Sequence, residues 1–394
     1  MRHRVGLLTA AIAVMAATAT LGMIKAVTII VSGSSDGDVV SFFSELVPRW
    51  FAGLPVYSYS DHAVHLPATY ALLWPIFGVL HAGAARWVWI ALLFAALACL
   101  IYLTLRASGA SSAAERIFVV LQPLSMYGVL FTIRTGQFGV FVLVLLIAGL
   151  SLLAAQPPSW KRDLIAAALL LLTLVKPTIA APFIWLALFL PGGFRTVLLI
   201  ALGYAALTIA AVTFQPEDIS TLFREWQMRS AELATSEGTA NLHRWLSYLG
   251  LDQWILPASL AMLLAFGAWV YRNRGADLWL LLGVAALFAR FWTYHRPYDD
   301  LLMLLPAVAL FRSAKQSIPD SAAGLVAGVL LALLVTASLT PMRFLVAWRF
   351  HLLTTTVIAV LWCATLVFLA RQAHRDKRRV AGDRRRELAT ESIA

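Results

Sequence analysis

Residues 278–311 read LWLLLGVAALFARFWTYHRPYDDLLMLLPAVALF. Two long apolar runs enclose four ionisable residues, His295, Arg296, Asp299 and Asp300. Apolar runs of roughly 16–22 residues, the length a helix needs to cross a bilayer, recur outward from this stretch in both directions. Of 394 residues, 61% are hydrophobic and only 13% charged. Soluble domains carry about twice that share of charge, so the chain reads as an all-α polytopic membrane protein. Roughly thirteen apolar segments can be counted, whereas two cytoplasmic ends require an even number of crossings. Residues 116–133 carry Gln122 and Pro123 in mid-run and are expected to form a broken or re-entrant segment. About twelve transmembrane helices remain. The first apolar run exceeds a typical signal-peptide core and is expected to stay as an uncleaved helix.

Basic residues orient the chain. Arg2 and Arg4 place the N-terminus inside, and Lys161 with Arg162, Arg195, Arg272 with Arg274, and Arg312 with Lys315 mark further inner loops. The chain carries a net charge of +11, and the tail, residues 372–394, is rich in basic residues. A basic tail following a span marks the cytoplasmic face and meets anionic membrane lipids. No folded domain accompanies it, so no nucleic acid partner is expected. Residues 1–371 read as one transmembrane domain in the cell membrane. Cys99 and Cys363 lie within apolar runs and imply neither a disulfide framework nor a metal site. The remaining loops, residues 32–64, 134–137, 176–178, 214–254, 292–299 and 341–351, then face outward, to the periplasmic or extracellular side.

Unusual polar residues collect on those loops. Val39, Val40, Phe42, Phe43, Leu46, Val47, Trp50 and Phe51 recur at helical spacing and predict an amphipathic helix on the outer membrane surface. Asp38 stands at its start. An isolated Asp there is ordinarily an N-cap, but with Asp36 it also puts two carboxylates at the mouth of a membrane cavity, where one can serve as a general base. His65 lies where the chain re-enters the bilayer, Arg134 and Gln137 top one helix, and Lys176 tops another. Taken singly, such groups are interface anchors. Arg134, Lys176, His295 and Arg296 together suit a phosphate at the membrane surface. The long loop with Trp226, Asn241 and His243 suits a lid or an acceptor-binding surface. No set of metal ligands is evident, and no cofactor or metal is expected.

The segment SDGDVVSFFSELVPRWFAGLPVY resembles the first outer loop of GT-C type membrane glycosyltransferases. The order of landmarks, Asp38, HLPA, Gly136-Gln137, Lys176-Pro177, Asn241, and Trp292 to His295, is similar to the polyprenol-phosphate-mannose-dependent α-mannosyltransferase family. One branch of that family acts on mycobacterial phosphatidylinositol mannosides. Two departures stand out: HLPA replaces the usual Tyr-Pro-Pro, and Gly139 stands where an Asn is usual. The resemblance implies a GT-C-like fold that moves a hexose, mannose, from a polyprenyl-phosphate donor to a lipid or glycan hydroxyl, with inversion. It implies Asp38 as the base, with Asp36 as a possible second carboxylate. It assigns the donor phosphate to Arg134, Lys176, His295 and Arg296, oriented by Asp299 or Asp300, and further substrate contacts to His65, Gln137 and Asn241. The rival reading is a transporter or flippase of an anionic or lipid-linked substrate. That role calls for ionisable groups near the midplane, whereas here most lie at outer helix ends and Lys25 is the exception.

Overall fold

The computed structural model describes residues 2–34, 38–155, 157–236, 241–318, 321–339 and 351–391. Among them the regular structure is helical, apart from one isolated bridge between Met126 and Leu339. Helix α1 (Arg2–Ser32) ends at Gly33, whose φ of 67° no helix continues. After the first loop, α2 (Val39–Phe51) starts on Asp38. Pro67 opens α3 (Pro67–Leu73), which runs into a π-turn (Trp74–Gly78). Helix α4 (Ala82–Ser108) is long and apolar and stops at left-handed Gly109.

The segment with Gln122 and Pro123 is broken. Helix α5 (Ala113–Ser125) gives way at Met126, which is extended, and α6 (Tyr127–Thr135) begins at the next residue. Pro123 itself lies inside α5, which ends two residues after it. Left-handed Gly136 then turns the chain by 115° into α7 (Gly139–Ala155). There follow α8 (Trp160–Thr173), α9 (Pro177–Phe189), α10 (Gly193–Val212), α11 (Ile219–Ser236), α12 (Leu242–Tyr248), α13 (Ile255–Asn273), α14 (Leu278–Trp292), α15 (Leu304–Gln316), α16 (Ala322–Ser338) and α17 (His351–Glu391). A 3-10 turn, Pro297–Met303, joins α14 to α15.

The expectation of about twelve transmembrane helices is corrected by this structure. Among the described residues five helical stretches are long and apolar enough to span a membrane: Leu8–Ser32, Ala82–Ser108, Gly193–Val212, Asp252–Asn273 and Thr355–Arg379. Counting the bent pair α6 and α7 as one span makes six. Other apolar runs form shorter helices of 13 (α9), 15 (α14) and 17 (α16) residues. At 1.5 Å per residue these reach roughly 20, 23 and 26 Å, short of the ~30 Å hydrocarbon core. Helix α14 shows why the sequence overcounts. Twelve of its fifteen residues are buried, because α9, α13, α15 and α17 surround it. A helix apolar on all sides is buried either in lipid or in protein, and composition alone does not separate the two.

Helix α2 likewise finds protein beneath it. Its stripe of Val39, Val40, Phe43, Leu46, Val47 and Trp50 is buried against α3, the π-turn and α4. At the far end of α14 polar contacts tie the start of α14 to α15 and α17, and α15 to α5. Arg312 pairs with Asp277 at 2.8 Å, Lys315 with Glu115 at 2.5 Å, and the Asp277 N–H donates to Asp376 at 2.8 Å. Helix α17 continues unbroken into the basic tail.

Candidate active site

The site lies at the end of α14 opposite those contacts. Pro177 sets the local geometry of Lys176: a residue before proline is driven from helical backbone, and Lys176 sits at φ −132°, ψ 77° as the N-cap of α9. Its amine is thereby turned onto the 297–303 turn. It pairs with Asp299 Oδ1 and lies 4.3 Å from the Tyr298 ring centroid.

Asp299 is the hub of this corner. Its Oδ2 faces His295 Nδ1 at 3.2 Å and accepts the Arg296 N–H at 3.1 Å. Burial raises the Asp299 pKa, but the Lys176 and His295 charges and bonds outweigh it and hold the group below its ordinary value. Burial pulls Lys176 down from its ordinary value, and Asp299 works against that. His295 has no exposed surface, and its Nε2 contacts the Ala289 carbonyl oxygen at 2.6 Å. Arg296 is half-buried and its Nε donates to Tyr294 Oη at 2.5 Å. Asp300 takes a different partner, Arg290 of α14, at 2.8 Å.

Helix α6 brings Arg134 to the same corner. Its guanidinium lies 4.3 Å from the Phe131 centroid, and Phe131 meets the Tyr298 ring at 5.9 Å. Arg134, Phe131, Tyr298 and Lys176 thus form a chain of two adjoining rings with a cation at each end. Gly128 lets α6 approach: a Cβ there would stand 2.4 Å from the Leu301 backbone nitrogen. Gln137 is half-buried just past left-handed Gly136, and its N–H donates to the Thr132 carbonyl at 2.9 Å.

The first loop reaches this corner through His65. Its ring is 4.9 Å from Phe43 and 6.2 Å from Phe42 of α2, and it lies within electrostatic reach of Lys176. Burial first, then the Lys176 charge, push the His65 pKa down to about 3, so the ring is neutral at ordinary pH. Asp38 stands one helical turn before Phe42. It caps α2 by accepting the Val40 N–H on Oδ1 at 3.0 Å. Its Oδ2 accepts from Ser41 at 2.9 Å and pairs with Arg86 at 2.5 Å. Arg86 also donates to the Ile30 carbonyl at 2.9 Å, which fastens α1, α2 and α4 together. Oδ1 accepts one bond to Oδ2's two, so Oδ1 has acceptor capacity left. Asp36 lies outside the described residues.

Asn241 is fully buried and caps α12 by accepting the Arg244 N–H at 2.9 Å. Its Nδ2 has no partner among the described residues. Next to it His243 bonds Ser259 at 2.9 Å and lies within electrostatic reach of His295. Among the described residues no three His, Cys, Asp or Glu side chains are grouped to hold a metal ion.

Sequence reasoning missed Arg86 and Arg290. Arg86 was open to the rule that singled out Lys176, a cation at the end of an apolar helix. Arg290 sits within an apolar run and gives a sign of its role only through Asp300.

Residues 65–314 match glycosyltransferase family 87, well over half of the chain. No curated protein and no solved structure matches. The matched span takes in Arg86, Lys176 and the 293–300 corner and begins after Asp38.

Proposed function

The chain belongs to glycosyltransferase family 87, and on that premise we propose that it transfers a hexose, mannose by the family resemblance, from a polyprenyl phosphate to a hydroxyl of a lipid or glycan. One observation carries this reading. His65 packs on Phe43 of α2, the helix that begins at Asp38, and lies within electrostatic reach of Lys176, the partner of Asp299, which relates the first-loop carboxylate to the group of cations through one histidine. Asp38 Oδ1 takes the proton of the acceptor hydroxyl as its oxygen attacks the anomeric carbon. The bond from that carbon to the phosphate oxygen breaks on the opposite face, which inverts the configuration. The departing polyprenyl phosphate keeps the electron pair, and Lys176, Arg134 and Arg296 stabilise its added charge. Asp299 and His295 hold the Lys176 amine in place. His65, Gln137 and Asn241 contact substrate. The reaction faces the outer side, with both termini and the basic tail cytoplasmic.

The test is direct transfer. Purified protein in lipid, radiolabelled polyprenyl-phosphate mannose and a membrane lipid extract should yield a labelled glycolipid, with free polyprenyl phosphate released in equal amount. Export of the intact labelled donor across sealed vesicles, with no glycosidic bond formed, would establish the transporter reading instead.

A further inference from the structure

Helix α12 is polar on the side that meets protein and apolar on the side that does not. Asn241, its cap, is fully buried, and His243 bonds Ser259 of α13 at 2.9 Å and lies within electrostatic reach of His295. Asn241 Nδ2 and His243 Nδ1 are buried without a partner among the described residues. The other side carries Trp245, Tyr248 and Leu249, all exposed, the last two at 71% and 70%. Leu251 and Trp254, in the turn that leads into α13, are exposed as well. A helix in water turns these faces the other way round.

The bond to Ser259 fixes how deep α12 lies. The stretch Asp252–Asn273 is long and apolar enough to span a membrane. Its first two residues, Asp252 and Gln253, are polar and exposed, as suits the headgroup edge. Ser259 lies about two helical turns further in, ~10 Å along the axis, and His243, in the first turn of α12, bonds it there. Left-handed Gly250, at φ 67°, makes the reversal between the two helices possible. Helix α12 therefore starts at depth beside α13 and rises toward the edge. Trp245 meets Phe291, near the end of α14, with centroids 6.2 Å apart, which holds the helix from a second side. Through Leu251 and Trp254 the exposed apolar residues run on along the chain into Leu256, Leu260 and Leu264, at one-turn spacing on the spanning helix. Arg244 lies against Tyr248, its guanidinium 5.0 Å from the ring centroid and its Nε donating to Oη at 2.9 Å. A long cationic side chain beside an interfacial tyrosine carries its charge to headgroup level.

We infer that α12 and the 249–254 turn dip into the leaflet that α13 enters, with phospholipid against Trp245, Tyr248, Leu249, Leu251 and Trp254, and so form the lipid-side wall of the His295 corner. The depth is that of an interfacial element, about 5–10 Å into the boundary of headgroups and acyl chains, where Trp and Tyr concentrate. A protein partner or a second copy would cover the same side chains, but it would not account for a helix held at the level of Ser259 within a span. The inference does not rest on glycosyl transfer and stands or falls apart from it.

The test places one nitroxide at a time on the full chain lacking Cys99 and Cys363, at Tyr248→Cys, Leu249→Cys, Leu260→Cys or Ser58→Cys, in phosphatidylcholine nanodiscs. Collision with dissolved oxygen, which concentrates in lipid, is compared with collision with a water-soluble nickel chelate. The labels on Tyr248→Cys and Leu249→Cys should match that on Leu260→Cys, with oxygen collisions several-fold above nickel collisions, and Ser58→Cys should show the reverse. Nickel collisions at the two α12 positions equal to those of Ser58→Cys would put α12 in water and overturn the inference. Weak collision with both agents would show protein over the face, a second copy included, and overturn it too. Should Tyr248→Cys fail to fold for want of the Arg244 contact, Leu249→Cys, whose native side chain makes no polar contact, decides alone.

Discussion

Asp38→Asn tests the proposed base, but the structure makes it more than a change of one proton acceptor. Asn caps a helix about as well as Asp, so the bond to the Val40 N–H survives. The partner of Arg86 does not: the pair is largely enclosed, with side-chain exposures of 18% and 6%, and Asn offers that guanidinium no charge. A charge-assisted bond of this kind is worth about 1.5–3 kcal/mol, so Asp38→Asn should destabilise by that order even if Asp38 has no chemical role. Arg86→Gln in the same chain removes the stranded cation. The double variant should therefore be more stable than the sum of the singles, by about 1 kcal/mol or more in a double-mutant cycle. Activity should not follow. Loss of a general base costs about 100- to 10,000-fold, about 2.7–5.4 kcal/mol of barrier, and Arg86→Gln restores no carboxylate. Donor binding should change little. The assay is label transfer per folded molecule beside thermal unfolding for all four proteins. If the double variant regains stability and transfer together, Asp38 is a cap and an ion-pair partner only. Asp36→Asn is the comparison and should cost less than about tenfold, below the range for a general base.

Other consequences are open to simpler measurements. Gly128→Ala should destabilise by about 1–3 kcal/mol and lower donor affinity, because its Cβ would meet backbone at Leu301 and Asp300. An unaltered variant would show that α6 does not seat the Asp299 corner. Partial burial raises the Glu115 pKa, but the Lys315 amine and the Ser111 and Ser112 N–H groups bring it from 4.5 down to about 2. Its contribution is therefore complete above about pH 4.5 and lost as pH falls through 2. The stability gap between wild type and Glu115→Gln should be widest near neutral pH and close over that window, whereas a constant gap would assign it to packing. In a chain lacking Cys99 and Cys363, Ser58→Cys should react with an impermeant thiol reagent in intact cells and Gln316→Cys should not. The reverse pattern would place the site on the cytoplasmic face.

Much of the fold could be read from periodicity, and the errors have one source. The α2 stripe was visible because alternating polar residues frame it, and the break in residues 116–133 was visible because Gln122 and Pro123 interrupt an apolar run. The number of spans was not visible. Helices α9, α14 and α16 are apolar and fall short of the bilayer. Hydropathy reports that a segment avoids water. It does not report whether lipid or another helix takes water's place, and α14 is enclosed by helices.

The site residues were individually legible, whereas their pairing was not. Lys176 and Asp299 are 123 positions apart, and no local pattern links them. The structure supplies the link and with it the reason that His295, Arg296, Asp299 and Asp300 can sit between two apolar runs. Each carboxylate is met by a cation from another element, Asp299 by Lys176 at the head of α9 and Asp300 by Arg290 within α14. An unpaired buried charge would be expensive there. A pair drawn from two helices instead fixes their relative position and leaves the cation aimed where the first loop delivers His65. The corner therefore fastens α9 to the turn after α14 and, on the reading proposed, presents charge to a phosphate. A substitution at Asp299 disturbs both functions at once, and so does one at Lys176, which leaves the buried Asp299 carboxylate without its cation.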